Sequence, residues 1–116
     1  MKENYQLGNL IIELKKKSIA ENSGIWKRIA VDLEKPTRQR RIVNLTRINK
    51  FSKDNETVII PGKVLAEGEL DKKLNIAAFS FSKSAKEKII NSNCQILSIE
   101  ELMKKNPKAS ELRIIG

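Results

Sequence analysis

An almost unbroken apolar stretch, LNIAAFSF at 74–81, constrains the fold of this chain most strongly. A strand with one face in water alternates apolar and polar residues, whereas a strand buried on both faces is apolar throughout. Shortly after this stretch, Ser84 to Glu87 match a capping box, the pattern that begins many helices. The sequence therefore predicts a central strand covered on both faces and followed by a helix, as in a layered α/β domain.

The rest of the second half repeats this rhythm of strands, turns and helices. We expect a turn at Pro61-Gly62 that separates two short strands, and a second turn at Gly68. The helix after Ser84 should bury Ala85, Ile89 and Ile90, and the asparagines at 91 and 93 should end it. A second capping box at 98–101 predicts another helix. Its inward side chains should be Ile99, Leu102 and Met103. The remaining predicted elements are strands at 57–60, 63–65, 94–97 and 112–115.

Two amphipathic helices are predicted before residue 36. Apolar residues recur at helical spacing in the first helix, where Asn4 is the expected cap and the lysines at 15–17 form a solvated face. We expect Trp26 to be a core anchor between the helices rather than a residue that stacks on RNA. Pro36 should end the second helix, because the residue before a proline disfavours the helical conformation. The apolar positions are Leu7, Leu10, Ile11 and Leu14, then Ile29, Ala30 and Leu33.

Positive charge is concentrated in residues 35–53, which we call the basic segment. It holds seven basic residues and no acid, and the other 97 residues hold 16 basic and 14 acidic side chains. Four of the six arginines lie between positions 38 and 47. Guanidinium groups grip phosphate with two parallel hydrogen bonds, whereas ammonium groups act as point charges. The sequence thus predicts phosphate contacts here and a nucleic acid as partner.

The basic segment divides into an arm and an anchor. Lys35 to Arg41 contain no apolar residue, so we expect an exposed arm. Ile42 to Lys53 contain apolar residues that should hold the segment on the domain, first in a short strand and then in a helical turn. The expected anchoring side chains are Val43, Leu45, Ile48 and Phe51.

The sequence contains few of the residues that catalysis requires. The chain has no histidine and a single cysteine, Cys94, which we expect to be a core thiol in a reducing cytoplasm. Gly62-Lys63 lacks the other residues of a phosphate-binding loop, and the acids at 67, 69 and 71 suggest an exposed turn rather than a cation site. We predict no enzyme, no cofactor, no metal, no small-molecule substrate and no membrane span. The 116 residues should form one domain with a helical part (1–34), the basic segment (35–53) and an α/β core (54–116).

Four strings carry a resemblance to a known family: VNLTRIN at 43–49, VIIPGKVL at 58–65, GEL at 68–70 and AAFSFSKSA at 77–85. In this order they closely resemble the large-subunit ribosomal protein family called eighteen-e, found in archaea and eukaryotes and related to bacterial large-subunit protein fifteen. The likeness covers essentially the whole chain, and its short length is similar to that of archaeal members. It implies irregular β-β-α superhelical turns in the second half.

The resemblance also implies a structural protein of the large ribosomal subunit in the cytoplasm, bound to ribosomal RNA beside neighbouring ribosomal proteins. Asn44 and Asn49 could serve either RNA or the protein's own backbone, and capping is the expected role of Ser82 and Ser84. An alternative is a DNA-binding regulator that uses the first two helices as a helix-turn-helix. The implied RNA-binding residues are Lys35, Arg38, Arg40, Arg41, Arg47, Lys50, Lys53 and Lys63.

Overall fold

The computed structural model describes residues 2–22, 24–36, 41–105 and 112–115. The chain forms two compact units, Met1–Arg40 and Arg41–Gly116. The boundary falls inside the basic segment, one residue before the end of its predicted arm. Within the described residues, no helix combines the length and apolarity needed to cross a membrane.

The described part of the first unit contains two helices, α1 (Lys2–Glu21) and α2 (Gly24–Glu34), which pack against each other. The predicted spacing is confirmed, since Leu14, Trp26 and Ile29 are almost completely buried. The indole Nε1 of Trp26 donates to Glu21 Oε2 at 3.0 Å, so the core-anchor role is confirmed. Asn4 lies inside α1 rather than at its cap, because the helix begins two residues earlier.

Within its described residues, the second unit contains five parallel strands and three helices. The sheet order is β1-β2-β3-β4, and β5 pairs with the first part of β2 while β1 pairs with its last part. Parallel pairing requires a crossover connection that returns the chain to the same end of the sheet after each strand. The elements are β1 (Arg41–Asn44), α3 (Leu45–Phe51), β2 (Thr57–Leu65), β3 (Asn75–Phe81), α4 (Lys83–Asn91), β4 (Gln95–Ser98), α5 (Ile99–Lys105) and β5 (Leu112–Ile114).

The central strand β3 is covered on both faces, as its apolar sequence predicted. Ile76, Ala77 and Ala78 are consecutive, so their side chains point to alternate faces, and all three are at most 1% exposed. The mixed α/β class, with two helices ahead of a compact sheet domain, is therefore confirmed.

The predicted turn at Pro61-Gly62 is wrong, because β2 continues through both residues. The register between β2 and β3 shifts between Ile60 and Lys63, so β2 carries an extra residue there. Proline lacks an N–H to give to the sheet and is tolerated at such irregularities. A Cβ at position 62 would lie 2.8 Å from the carbonyl carbon of Arg41 and closer still to its oxygen. Gly62 therefore allows β1 to approach β2.

The helix starts are partly as predicted. Ser82, not Ser84, is the cap of α4, since its Oγ accepts from the Ala85 N–H at 3.1 Å. The capping box at the start of α5 is confirmed, with Ser98 and Glu101 exchanging two hydrogen bonds of 3.0 Å. Ile90 is 63% exposed and not part of the inner face of α4. Asn93 ends that helix with a positive φ of 62°, as expected of an asparagine.

Candidate nucleic-acid interface

The candidate RNA-binding residues lie in different parts of the chain. Arg38 and Arg40 are outside the described residues, and most of the predicted arm lies there with them. Lys35 follows α2, where its Nζ lies 3.2 Å from Oδ1 of the buried Asp32. The other candidates belong to the second unit, at or near β1, α3 and β2.

The VNLTRIN string ties α3 to the loop between β2 and β3. Asn44 Oδ1 accepts from the Glu67 N–H at 3.3 Å, and Asn49 Oδ1 accepts from the Asp71 N–H at 3.0 Å. Thr46 donates to the Glu67 carbonyl through its N–H at 3.0 Å and its hydroxyl at 3.2 Å. The Oδ1 atoms of both asparagines therefore accept hydrogen bonds from the protein's own backbone, which is one of the two roles that the sequence left open.

A lysine completes this connection at the other end of α3. Lys72 Nζ donates to the carbonyl oxygens of Asn49 and Ser52, at 2.5 and 2.6 Å. A cation on the last carbonyls of a helix satisfies acceptors that have no partner within the helix, and it interacts favourably with the helix dipole. The loop and the helix thus form one fixed body, and the side chains on the outer side of α3 project from a rigid base.

An open groove of about 420 Å³ runs between β1, α3 and Glu67 of this loop, and we call it the α3 groove. Two of its large apolar side chains are exposed, Ile42 at 65% and Phe51 at 47%. The prediction that Phe51 anchors the segment in the core is wrong, whereas Val43, Leu45 and Ile48 are buried as expected. Phe51 is the last residue of α3, and Leu45 and Ile48 already fill the inner face of that helix. The groove is lined by Ile42, Val43, Asn44, Thr46, Arg47, Lys50, Phe51 and Glu67.

Two predicted RNA-binding cations lie over the Phe51 ring. Arg47 Cζ is 4.9 Å from the ring centroid and Lys50 Nζ is 5.4 Å from it. Such contacts attract the cation to the electron-rich face of the ring and are worth about 0.5–1 kcal/mol at exposed sites. The ring therefore orients both charges at the groove while leaving them in contact with water.

Lys63 lies beside the groove. Its Cα pairs with that of Ile42 across β1 and β2, and both residues are exposed. Register partners in a parallel pair project from the same face of the sheet, about 4.8 Å apart. The structure therefore places Arg47 and Lys50 in the groove with the exposed Ile42 and Phe51, and Lys63 next to Ile42 in the sheet.

Arg41 and Lys53 are not among the lining residues of the groove. Arg41 begins β1, where its backbone closes on Gly62 and its side chain is half-buried. Lys53 is exposed two residues beyond α3, and its N–H donates to Glu56 Oε1 at 3.0 Å.

The groove has one signal in the sequence, which is the spacing of two cations before an aromatic residue. Arg47 and Lys50 precede Phe51 by four residues and by one, and positions four apart on a helix are neighbours. A cation at that spacing before an aromatic residue indicates a contact over the ring. The prediction that Phe51 is a core residue follows from its apolar character alone and does not use this spacing.

The other residues considered for chemical roles are Cys94 and the three acidic residues of the β2–β3 loop. Cys94 is buried, as predicted for a core thiol, and its Sγ–H donates to the Lys72 carbonyl oxygen at 3.1 Å. Glu67, Glu69 and Asp71 are exposed on the loop, as predicted for an acidic turn. Among the residues that the structure describes, no three His, Cys, Asp or Glu side chains are grouped so that they could hold a metal ion.

Comparison with known proteins gives consistent matches. The model of a family described as ribosomal proteins 50S-L15 and 50S-L18e, together with one 60S ribosomal protein, matches residues 25–97. The large ribosomal subunit protein eL18 of Methanoregula boonei is 46% identical over 114 residues, covering 98% of this chain and 94% of that protein. Proteins of the same name from Methanothermobacter thermautotrophicus and Archaeoglobus fulgidus are 42% and 41% identical, covering 98% of this chain and 94% and 97% of their own lengths.

Proposed function

Because this chain belongs to the ribosomal protein family that contains 50S-L15 and 50S-L18e, we propose that it is a structural constituent of the large ribosomal subunit. In this proposal it binds and stabilises large-subunit ribosomal RNA and contacts neighbouring ribosomal proteins in the cytoplasm. The archaeal relatives named eL18 match this chain over almost their full length, which supports an archaeal type of protein.

The observation that carries the RNA-binding part of the proposal is the rigid presentation of cations on α3. Arg47 and Lys50 are held over Phe51, and the helix below them is tied to the β2–β3 loop. Cations placed in a fixed arrangement release counterions from a folded RNA of matching shape without a further ordering cost. The proposed contacts are Lys35, Arg38, Arg40, Arg41, Arg47, Lys50, Lys53 and Lys63.

Catalysis and small-molecule binding form no part of this proposal. The relatives are named as ribosomal proteins, and the chain has no histidine to act as a general base. The alternative of a DNA-binding regulator gains no support from these relatives. In α2, Glu34 forms an ion pair with Lys15 and Asp32 is buried, so this helix is a poor match for a recognition helix rich in polar side chains that face the groove.

The proposal is tested by sedimentation and by the salt dependence of binding. The cellular protein should sediment with large ribosomal subunits and be released only by high salt. For the purified protein on deproteinised large-subunit RNA, five or six phosphate contacts should give a log–log salt slope of about −4 to −5. A slope near zero, or sedimentation away from ribosomal subunits, would contradict the proposal.

A double variant tests the contribution of α3. Replacing Arg47 and Lys50 with alanine should make the slope shallower by about 1.5, since each phosphate contact contributes about 0.7–0.9. The matched control removes the exposed Lys83 and Lys86 from α4 and should leave the slope close to that of the unmodified protein. An equal change in both variants would mean that only net charge matters.

A further inference from the structure

We propose that the α3 groove binds one unpaired nucleobase of RNA, which stacks at the Arg47–Phe51 pair while a neighbouring phosphate contacts Lys50. This inference rests on the proposed function, because it specifies the form of RNA that the same surface would recognise.

Phe51 and Ile42 expose large apolar side chains to water, and neither side chain is needed to fill the core. The positions of α3 that face the core are occupied by Leu45 and Ile48, both completely buried. Phe51 is the terminal residue of the helix and is 47% exposed, and Ile42 is 65% exposed on the same groove. Adjacent exposed apolar residues rimmed by polar ones mark binding surfaces more often than isolated exposed residues do.

The charges around these apolar residues select the class of partner. Arg47 and Lys50 line the groove with them, and Lys63 is the register partner of Ile42. Glu67 is the acidic residue among those that line the groove. A nucleotide combines a flat apolar face with an anionic phosphate, and this combination matches an aromatic ring bordered by cations. Guanidinium planes and aromatic rings are the two surfaces on which proteins stack unpaired bases.

The size and rigidity of the groove fit a single base. Its volume of about 420 Å³ is in the range of pockets that hold small organic molecules. One wall is fixed because Asn44 and Thr46 bind the backbone N–H and C=O of Glu67. Bases inside a duplex are stacked on their neighbours and cannot present a face, so the groove should select loops, bulges or single strands.

The test separates stacking from charge by changing Phe51 alone. Phe51→Leu keeps an apolar side chain and all cations but removes the ring. We expect its affinity for deproteinised large-subunit RNA to fall by about tenfold, within the range for loss of one stacked base, with an unchanged salt slope. Phe51→Tyr and Phe51→Trp keep a ring and should restore binding. Ile90→Ala, which changes an exposed apolar residue on α4, is the control and should bind normally.

A fluorescence measurement identifies the stacked group. The indole of Phe51→Trp should be quenched by single-stranded oligoadenylate and not by an RNA duplex of equal length, and the unmodified protein, with Trp26 buried, corrects for background. Equal RNA binding by Phe51→Leu and the unmodified protein would overturn the inference and leave the salt slope and sedimentation tests intact. Normal binding to free RNA combined with loss of contact to a neighbouring ribosomal protein would also overturn it, since the groove would then dock protein.

Discussion

Gly68 holds the β2–β3 loop against α3. Its φ is +104°, a conformation that side chains with a Cβ rarely adopt. A Cβ there would also fall 2.6 Å from the Thr46 nitrogen and closer still to the Thr46 hydroxyl. The loop reaches the hydrogen bonds of Thr46 only because this residue is glycine.

Gly68→Ala should lower the free energy of unfolding by about 2 kcal/mol, since both the backbone and the contact with Thr46 are strained. Urea denaturation measures the change. Gly8→Ala is the matched control: position 8 is inside α1 with nothing within 4 Å of a new Cβ, so it should be stabilising by about 0.5–1 kcal/mol. Equal stability of Gly68→Ala and the unmodified protein would contradict this account of the loop.

Cys94 reports on the packing between β3, β4 and the loop before β3. Its thiol is buried and is a donor to the Lys72 carbonyl. Reaction with a thiol reagent therefore requires local opening, and the native rate should be at least about 100-fold below that in denaturant. A cysteine placed at the exposed position 84, with Cys94 replaced by alanine, provides the control and should react rapidly in the native protein. A fast reaction of native Cys94 would show that this part of the core opens readily.

At the scale of elements, one ion pair connects the last strand to the start of β2. Arg113 Nε in β5 donates to Glu56 Oε1 at 2.7 Å, directly before the first residue of β2. This hydrogen bond, aided by the Lys53 N–H, holds the pKa of Glu56 below its ordinary value of 4.5. A carboxylate whose pKa is lower in the folded state stabilises the fold when ionised.

The stability that Glu56 contributes should be fully present above pH 4.5 and lost as the pH falls through the lower folded-state pKa. Urea midpoints measured from about pH 6 to about pH 3 should therefore decline less for Glu56→Gln than for the unmodified protein. Glu87→Gln, at an exposed site on α4, controls for the loss of one negative charge. Parallel pH curves for Glu56→Gln and the unmodified protein would exclude this role of the pair.

Element types were predictable where a local pattern determines them. The double-sided burial of Ile76–Ala78 follows from an apolar run, and the start of α5 follows from a capping box whose two hydrogen bonds are both present. The start of α4 was misassigned because Ser82 and Ser84 are both competent caps, and the sequence does not show which one precedes the helical backbone. The course of β2 through Pro61 depends on pairing with β1, β3 and β5, which are distant in sequence.

The positive charge of the candidate site was predictable from the sequence, whereas the shape of the groove was not. The clustering of basic residues identified Arg47 and Lys50, but the exposure of Phe51 depends on where α3 ends and on which positions Leu45 and Ile48 already fill. The roles of Asn44 and Asn49 depend on a loop more than 20 residues later in the chain. Such contacts are set by tertiary structure and leave no local sequence pattern.

For the molecule as a whole, stability and RNA binding should be separable. Each unit has its own buried side chains, Leu14, Trp26 and Ile29 in the first and the apolar cluster around β2 and β3 in the second. Apart from Lys35, which forms an ion pair with Asp32, the candidate RNA-binding residues in the described parts of the chain contribute exposed or half-buried side chains. The charges can therefore be removed without opening either apolar core.

Replacing Arg38, Arg40 and Arg41 together with alanine should weaken RNA binding and leave thermal unfolding little changed. The half-buried Arg41 contributes backbone pairing to β1, which alanine retains. Binding to large-subunit RNA and the unfolding temperature, measured on the same preparation, check this expectation. A large drop in unfolding temperature would mean that these arginines belong to the fold.

The pairing of β5 with β2 has a consequence for synthesis of the chain. Thr57 to Ile59 find their parallel partners at Leu112 to Ile114, at the opposite end of the second unit. A nascent chain emerges from its amino terminus, so this edge of β2 stays unpaired until Leu112 to Ile114 have left the exit tunnel. An unpaired strand edge is a template for association with other chains. Completion of the sheet, and protection of this edge from aggregation, therefore wait for the synthesis of residues 112–114.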